Sequence, residues 1–175
     1  MNILSLDLEL NQADTGSKII EVGACVGNLQ TGEILEIYSA FVNPNEKLTE
    51  FIIQLTSITQ QQVDNAGTIE EAYLGMEAMA KRHECLTMPI VWGTGDGFAL
   101  RSELPKTCPW NFGRRELDVK AVFQAYQMAK QGKIQAGLAK ALTRLELNFK
   151  GKKHRANDDA VNTFIIYHAL LQKFA

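Results

Sequence analysis

Apolar and polar side chains alternate along the first ten residues of the chain. The leucines at every second position from 4 to 10 share one face of an extended chain, and Asp7 and Glu9 share the other. This period of two predicts a β-strand over residues 2–10. Segments 19–27 and 33–42 are rich in branched residues and are joined by a short turn, which predicts two further strands in a hairpin or meander.

Helical spacing follows these strands. Residues 48–55 predict one short helix, and Ser57-x-x-Gln60 is a capping-box pattern that predicts the start of another. Thr68 and Glu71 form a second capping-box pattern. It precedes an apolar stripe at helical spacing, which we assign to the core: Ile69, Ala72, Tyr73, Met76, Met79 and Ala80.

The second half of the chain predicts one more strand and further helices. Residues 89–92 form a short apolar strand that ends in a glycine-rich turn. Four helices are expected, over residues 98–104, 119–130, 136–145 and 157–174. This order of elements predicts an α/β domain in which helices cover a mixed β-sheet, and we expect residues 1–175 to form one domain.

Composition changes this picture little. Of the 175 residues, 46% are hydrophobic and 22% are charged, which are ordinary values for globular proteins. The net charge of −2 excludes a strongly basic, histone-like binder. Nucleic acid stays open as a partner, because bound metal ions and a local basic patch can neutralise phosphate.

The sequence predicts neither export nor a membrane partner. No apolar run approaches the ~20 residues of a membrane span, and the first residues lack the basic start of a signal peptide. The three cysteines lie far apart without a CxxC pair, which favours reduced thiols over a zinc site or a disulfide framework. We therefore expect a cytoplasmic protein.

Candidate chemistry lies in three separate stretches that contain Asp7 and Glu9, Asp96, and His154 with Asp159. Each stretch falls where a strand is expected to end or a helix to begin. Four carboxylates in one site repel one another, so the set is typical of a centre that holds two divalent cations. Oxygen ligands favour Mg²⁺ or Mn²⁺, and a nearby histidine suits proton transfer.

Each stretch alone leaves alternatives open. Asp96 lies between Gly95 and Gly97, and an aspartate in a glycine turn is more often a turn former. Asp158 and Asp159 suit helix capping and compensation of the helix dipole. We accept that interpretation for Asp158 and expect Asp159 to belong to the site.

The order of these motifs resembles the DEDDh 3′–5′ exonucleases: D-x-E near the start, a central aspartate after an apolar strand, and H-x4-D on the last helix. The resemblance covers nearly the whole chain and is closest to the branch that contains the histone-mRNA exonuclease and its bacterial relatives. It rests on further segments such as Phe41-Val42-Asn43-Pro44, Leu55-Thr56-Ser57-Ile58-Thr59, Trp92-Gly93-Thr94-Gly95-Asp96 and Asp118-Val119-Lys120.

The resemblance implies a ribonuclease H-like fold and hydrolysis from the 3′ end of single-stranded RNA or DNA, with release of nucleoside 5′-monophosphates. It implies that His154 is the general base. Two Mg²⁺ or Mn²⁺ ions would be held by Asp7, Glu9, Asp96 and Asp159, which together with His154 form the expected catalytic set.

The resemblance also implies residues that contact the terminal nucleotide: Leu10, Asn11, Phe51, Leu55, Trp92 and Gly95. Asn11 replaces a threonine that this branch usually carries. Phe51 and Leu55 share a helical face. Ordinary core packing is an equally open interpretation of that pair.

Two clusters leave their roles open. The first is basic and could guide phosphates or be a solvated loop: Lys150, Lys152, Lys153 and Arg155. The second places Trp110 and Phe112 beside two arginines, and there core anchoring is favoured over stacking on a single strand.

Rival functions also remain open at this stage. One is a DNA-directed proofreading or repair exonuclease with the same residues, because recognition of the 2′-OH depends on few contacts. Another is a non-catalytic nucleic-acid-binding module, which the complete acidic set disfavours. The sequence leaves the oligomeric state open.

Overall fold

A mixed sheet runs through the part of the molecule that the structure describes, which is residues 1–14, 16–130, 132, 134 and 137–174 of a computed structural model. Its five strands among these residues have the order β3-β2-β1-β4-β5. They are Asn2–Ala13 (β1), Gly16–Asn28 (β2), Ile34–Phe41 (β3), Ile90–Val91 (β4) and Leu117–Asp118 (β5).

Helices surround this sheet. In the described residues they are Glu50–Thr56 (α1), Gln60–Asp64 (α2), Ile69–Arg82 (α3), Asp96–Glu103 (α4), Val119–Ala129 (α5), Leu138–Arg144 (α6) and Ala156–Phe174 (α7). The α/β architecture with a mixed, helix-covered sheet is therefore confirmed.

Strand direction changes in the middle of the sheet. β1 and β3 both pair antiparallel with β2, whereas β4 lies parallel to β1 and β5 parallel to β4. β1 extends beyond its predicted end because it pairs with β2 up to Ala13. Strand β5 was not predicted, since a two-residue strand is too short to show any periodicity.

The two faces of β1 contact different helices. Leu4, Leu6 and Leu8 pack with buried residues of α3 and α4 in one core cluster. Ile3 belongs to a second cluster, which includes Phe164 and other buried residues of α5, α6 and α7. Because side chains alternate along a strand, the odd-numbered acids of β1 share the face of Ile3 and lie towards α7.

The observed positions of two helix starts differ from the predictions. Ser57 has a left-handed backbone (φ 61°) and ends α1, so the capping box of α2 is formed by Thr59 and Gln62 instead of Ser57 and Gln60. Helix α4 begins at Asp96, two residues earlier than predicted. The capping box at Thr68 is confirmed.

The predicted start of α6 at residue 136 lies outside the described residues. Helix α7 begins at Ala156, one residue before its predicted start. The three cysteines are free thiols. Among the described residues, no helix is both long enough and apolar enough to cross a bilayer.

Candidate active site

Strand β1 carries Asp7 and Glu9 into the interior next to α7. In the antiparallel register, Asp7 lies opposite Gly23 and Glu9 lies opposite Glu21. Glu9 is only 8% exposed and Asp7 is half-buried. The register shifts directly after Glu9, so the two acids lie at the end of the regular part of the strand.

Asp96 reaches the same region from the first position of α4, directly after the loop that follows β4. Gly95 has a φ of 119°, which favours glycine, and it is the N-cap of α4. The carboxylate of Glu116 accepts the backbone N–H of Gly95 at 2.5 Å and that of Gly97 at 2.8 Å. These hydrogen bonds fix the backbone on both sides of Asp96.

Asp159 lies in the first turn of α7, and β2 determines where that turn begins. The backbone N–H of Ala156 donates to the Glu21 carboxylate at 3.1 Å. A Cβ at Gly23 would lie 2.0 Å from the carbonyl carbon of Ala156. Only glycine therefore allows α7 to approach β2 this closely.

His154 precedes α7 on an exposed loop. Its backbone is left-handed, with a φ of 60°, and its backbone N–H donates to Asp159 Oδ2 at 3.2 Å. This hydrogen bond ties the histidine to one of the predicted metal ligands, while its ring stays accessible to solvent.

The three motifs converge. Candidate ligand atoms of Glu9, His154 and Asp159 all lie within 4.8 Å of one another. The pKa of Asp7 is raised well above its usual value, first by burial and then by the charges of Asp96 and Asp159. The structure thus brings the four acids and the histidine of the predicted set into one site.

Each of the other acids also resists ionisation. Burial, with the charges of Asp159 and Glu21, raises the pKa of Glu9 to about 8. Burial and the Glu116 charge raise the pKa of Asp96 to about 7, and burial raises the pKa of Asp159 to about 6. Near neutral pH the ionised forms of these acids repel one another, and bound cations would offset this repulsion.

The chemistry of this site fits a divalent metal ion. Asp159 Oδ1 is buried and has no hydrogen-bond partner among the described residues. A buried, unpartnered carboxylate oxygen is costly. Asp159 forms a group with Glu9 and His154, so a cation held by this group could satisfy the oxygen and relieve the repulsion between the acids.

The predicted nucleotide contacts fall into different environments. Phe51 is 62% exposed and Leu55 is 36% exposed, so neither is an ordinary core residue. Leu10 packs against the core cluster of α3 and α4. Trp92 packs against Phe123, with 6.1 Å between ring centroids.

Asn11 is fully buried and uses its amide group within the protein. Its nitrogen donates to Glu46 at 2.6 Å, and its oxygen accepts the backbone N–H of Thr49 at 2.9 Å. Thr49 is the N-cap of α1. The side chain therefore positions the helix that carries Phe51, and direct contact of this side chain with a nucleotide does not follow from its position.

The basic cluster divides into two parts. Arg155 forms a two-pronged ion pair with the buried Glu21, through Nε at 3.1 Å and a terminal nitrogen at 2.8 Å. The three lysines are exposed. Of these, Lys153 lines a cavity of about 480 Å³ together with His154 and Asp159.

Aromatic packing confirms the expected core anchoring of Trp110 and Phe112. Trp110 stacks on Tyr73, with 5.4 Å between centroids, and Phe112 meets both rings edge-on. These residues hold the loop that precedes β5 against α3.

Two carboxylates that build the site were not among the predicted residues. Glu21 is the only acid within an apolar strand segment, IIEVGACVG, and a charge in such a segment indicates a buried partner. Glu116 showed no signal in the sequence, because the backbone groups that it binds lie about twenty residues earlier in the chain.

Comparisons with known proteins agree with this geometry. The family model described as "RNase_T: Exonuclease" matches residues 4–167. The mouse "3'-5' exoribonuclease 1" is 26% identical over 173 residues, which cover 94% of this chain and 50% of that protein. The "DNA polymerase III PolC-type" of Clostridium perfringens is 46% identical over 54 residues, or 31% of this chain and 4% of that protein.

A solved structure shares the fold along almost the whole chain. It is the nuclease domain of 3'hExo, described as a DEDDh family member bound to rAMP, with a TM-score of 0.82 and 25% identity. The match covers 98% of this chain and 92% of that one, and it supports the predicted ribonuclease H-like fold. The chain spans about half the length of the first curated relatives that it matches.

Proposed function

The chain belongs to the Exonuclease (RNase_T) family, and from that membership we propose that it is a metal-dependent 3′–5′ exonuclease acting on single-stranded RNA or DNA. The observation that carries the proposal is the convergence of Glu9, His154 and Asp159 within 4.8 Å, beside Asp7 and Asp96. The reaction is hydrolysis of the last phosphodiester bond, with release of a nucleoside 5′-monophosphate.

Asp7, Glu9, Asp96 and Asp159 would hold two Mg²⁺ or Mn²⁺ ions. Such ions, when bound, supply charge neutralisation at the phosphate and a water of lowered pKa. The unpartnered Oδ1 of Asp159 and the raised pKa values of the four acids support this assignment.

His154 accepts the proton of the attacking water in this proposal. Its ring is exposed on a loop that is tied to Asp159, so it can approach a water above the acids. The water oxygen bonds to phosphorus as the bond to the 3′ oxygen of the preceding nucleotide breaks. The shortened strand leaves with a new 3′-hydroxyl group.

The terminal base would pack on Phe51 and Leu55. Both side chains are exposed on one face of α1, where an apolar surface is available for stacking with a base. Stacking accepts any base, so we expect weak sequence preference. Trp92, Gly95 and Leu10 would contribute to the wall of this subsite.

A gel assay tests the proposal on 5′-labelled single-stranded RNA and DNA of the same sequence, with Mg²⁺, Mn²⁺ or EDTA. We expect a metal-dependent ladder that shortens from the 3′ end and disappears with Asp96→Asn. His83→Asn is a matched control, because His83 pairs with Glu36 on the surface of the molecule. Absence of degradation of either substrate with either metal would overturn the proposal.

The same assay decides between two substrates. The similarity to the PolC-type polymerase segment favours DNA as a second candidate, and the longer similarity to the exoribonuclease favours RNA. The ratio of the RNA and DNA rates selects one, because both substrates share the sequence and the ends.

A further inference from the structure

A cluster of arginines lies beside the candidate active site and has no role in the chemistry above. Arg101 on α4 and Arg114 and Arg115 before β5 line a cavity of about 170 Å³ with Phe98. We call these four residues the arginine pocket. All four are exposed, and Phe98 is 67% exposed.

The charges of the three arginines are not neutralised by acidic side chains within the described part of the protein. None of the three guanidinium groups forms an ion pair there, whereas Arg82 and Arg155 both pair with glutamates. Glu116 also lines the cavity, but its carboxylate already accepts the N–H groups of Gly95 and Gly97. The pocket is thus locally positive in a protein with a net charge of −2.

The arginine pocket adjoins the acids. Gly97 lines the cavity and directly follows Asp96. Glu116 also links the arginine pocket to the acids, because it lines the cavity and binds the backbone on both sides of Asp96. A strand whose 3′ end lies at Asp96 would therefore have the pocket within reach.

Phe98 adds a stacking surface to these charges. It lies three residues before Arg101 on α4, and the guanidinium carbon of Arg101 lies 6.0 Å from the ring centroid. Exposed aromatic rings beside arginines are typical of single-strand binding surfaces, where bases stack and phosphates meet cations. Guanidinium groups suit phosphate because they donate paired hydrogen bonds.

We infer that the arginine pocket binds the phosphates and a base of the single strand upstream of its 3′-terminal nucleotide. This inference rests on the proposed exonuclease function and assigns a second part of the same substrate. It predicts that the pocket strengthens the binding of long single strands. It also predicts that the pocket does not affect the cleavage rate of a substrate that contains only one nucleotide.

The test compares wild-type protein with Arg114→Ala/Arg115→Ala on two substrates with Mn²⁺. One is a 12-nucleotide single strand, as RNA and as DNA, and the other is thymidine 5′-(p-nitrophenyl phosphate). We expect the KM for the 12-mers to rise about tenfold with kcat unchanged. The slope of log(kcat/KM) against log[salt] should become shallower by about 1.4, which is near 0.7 for each lost phosphate contact. The rate on the single-nucleotide substrate should stay within about twofold of wild type.

Lys81→Ala/Arg82→Ala is the matched control, because it removes the same charge from the end of α3. An unchanged KM for the 12-mers, or an equal rise in the control, would overturn the inference and leave the proposed function intact. A wild-type protein that cleaves neither substrate would overturn the proposed function, and the inference with it. For the 12-mers, a KM increase with Phe98→Ala would support the stacked base. A wild-type KM with Phe98→Ala would overturn that part of the inference.

Discussion

At the residue scale, the candidate site combines an exposed histidine with acids that are largely enclosed. His154 is exposed and keeps a left-handed backbone, with a φ of 60°. Glu9 and Asp159 are enclosed by α7 and β1, and burial is the largest cause of their raised pKa values. A bound cation would therefore favour the ionised form of these acids, while His154 is accessible from solvent.

Substitution of His154 tests its role without disturbing the loop. Asparagine tolerates a left-handed backbone but cannot act as a base, so His154→Asn should keep the fold. We expect kcat on the labelled strands to fall by about 10²–10⁴, the usual contribution of a positioned general base. The melting temperature should stay unchanged.

His168→Asn is the reference for that experiment. His168 stacks near Phe164 on the far part of α7 and lies outside the candidate site. Equal activity of His154→Asn and wild type would remove His154 from the mechanism.

At the element scale, the contact between β2 and the start of α7 positions the third motif. Glu21 is fully buried and accepts hydrogen bonds from Ser39, Arg155 and Ala156. Gly23 leaves the space that the backbone of α7 fills. The position of Asp159 relative to Glu9 therefore depends on a strand that contributes no residue to the expected catalytic set.

Glu21→Ala should separate these elements. It leaves Arg155 and the N–H of Ala156 without their partner, which we expect to cost about 3 kcal/mol of unfolding free energy. Displacement of Asp159 and His154 should lower kcat about 10- to 100-fold at temperatures where the variant is folded. Thermal melting and single-turnover cleavage measure the two effects.

Glu36→Ala is the matched control, since Glu36 also pairs with an arginine, Arg82, but on the surface. It should leave both melting temperature and kcat nearly unchanged. A Glu21→Ala variant that behaves like this control would show that α7 is positioned by its apolar contacts alone.

At the scale of the whole molecule, we expect the acidic site to make stability depend on pH and on divalent metal ions. The folded-state pKa values of Glu9, Asp96 and Asp159 lie above their usual values, at about 8, 7 and 6. The folded protein therefore binds more protons than the unfolded state between about pH 4 and 8. Without metal, stability should be highest near the acidic end of that window and fall as the pH rises through it.

The melting temperature in EDTA from about pH 5 to about pH 8.5 checks this dependence. Glu9→Gln removes the acid with the highest of these three pKa values, so it should flatten the decline and stabilise the metal-free protein at the alkaline end. We expect a gain of about 2 kcal/mol, or roughly 4–8 °C for a protein of this size.

Millimolar Mg²⁺ or Mn²⁺ should raise the wild-type melting temperature at about pH 8.5, because ligand binding stabilises the folded state. The increase should be smaller in Glu9→Gln. A wild-type melting temperature that neither falls with pH in EDTA nor rises with metal would contradict a cation site at these acids.

Local sequence patterns were enough to predict several elements of the fold and the candidate residues of the site. The alternation in β1 predicted the face of Asp7 and Glu9, because side chains of a strand point alternately to two sides. The capping box at Thr68 predicted the start of α3, because a helix end must satisfy its free N–H groups nearby. The three motifs and their order indicated the family. The spacing of two residues between Asp7 and Glu9 was enough to identify them as a pair on one face of a strand.

Only the tertiary structure decided how these pieces meet. Glu21 acts on Arg155 and Ala156 more than 130 residues away, and Glu116 acts on a loop about twenty residues earlier, so neither pairing has a local pattern. The exposure of Phe51, the burial of Asn11 and the gathering of arginines beside Asp96 depend equally on long-range packing. Local periodicity reports which face of an element is apolar, whereas burial, charge pairing and pKa depend on the elements that pack against that face.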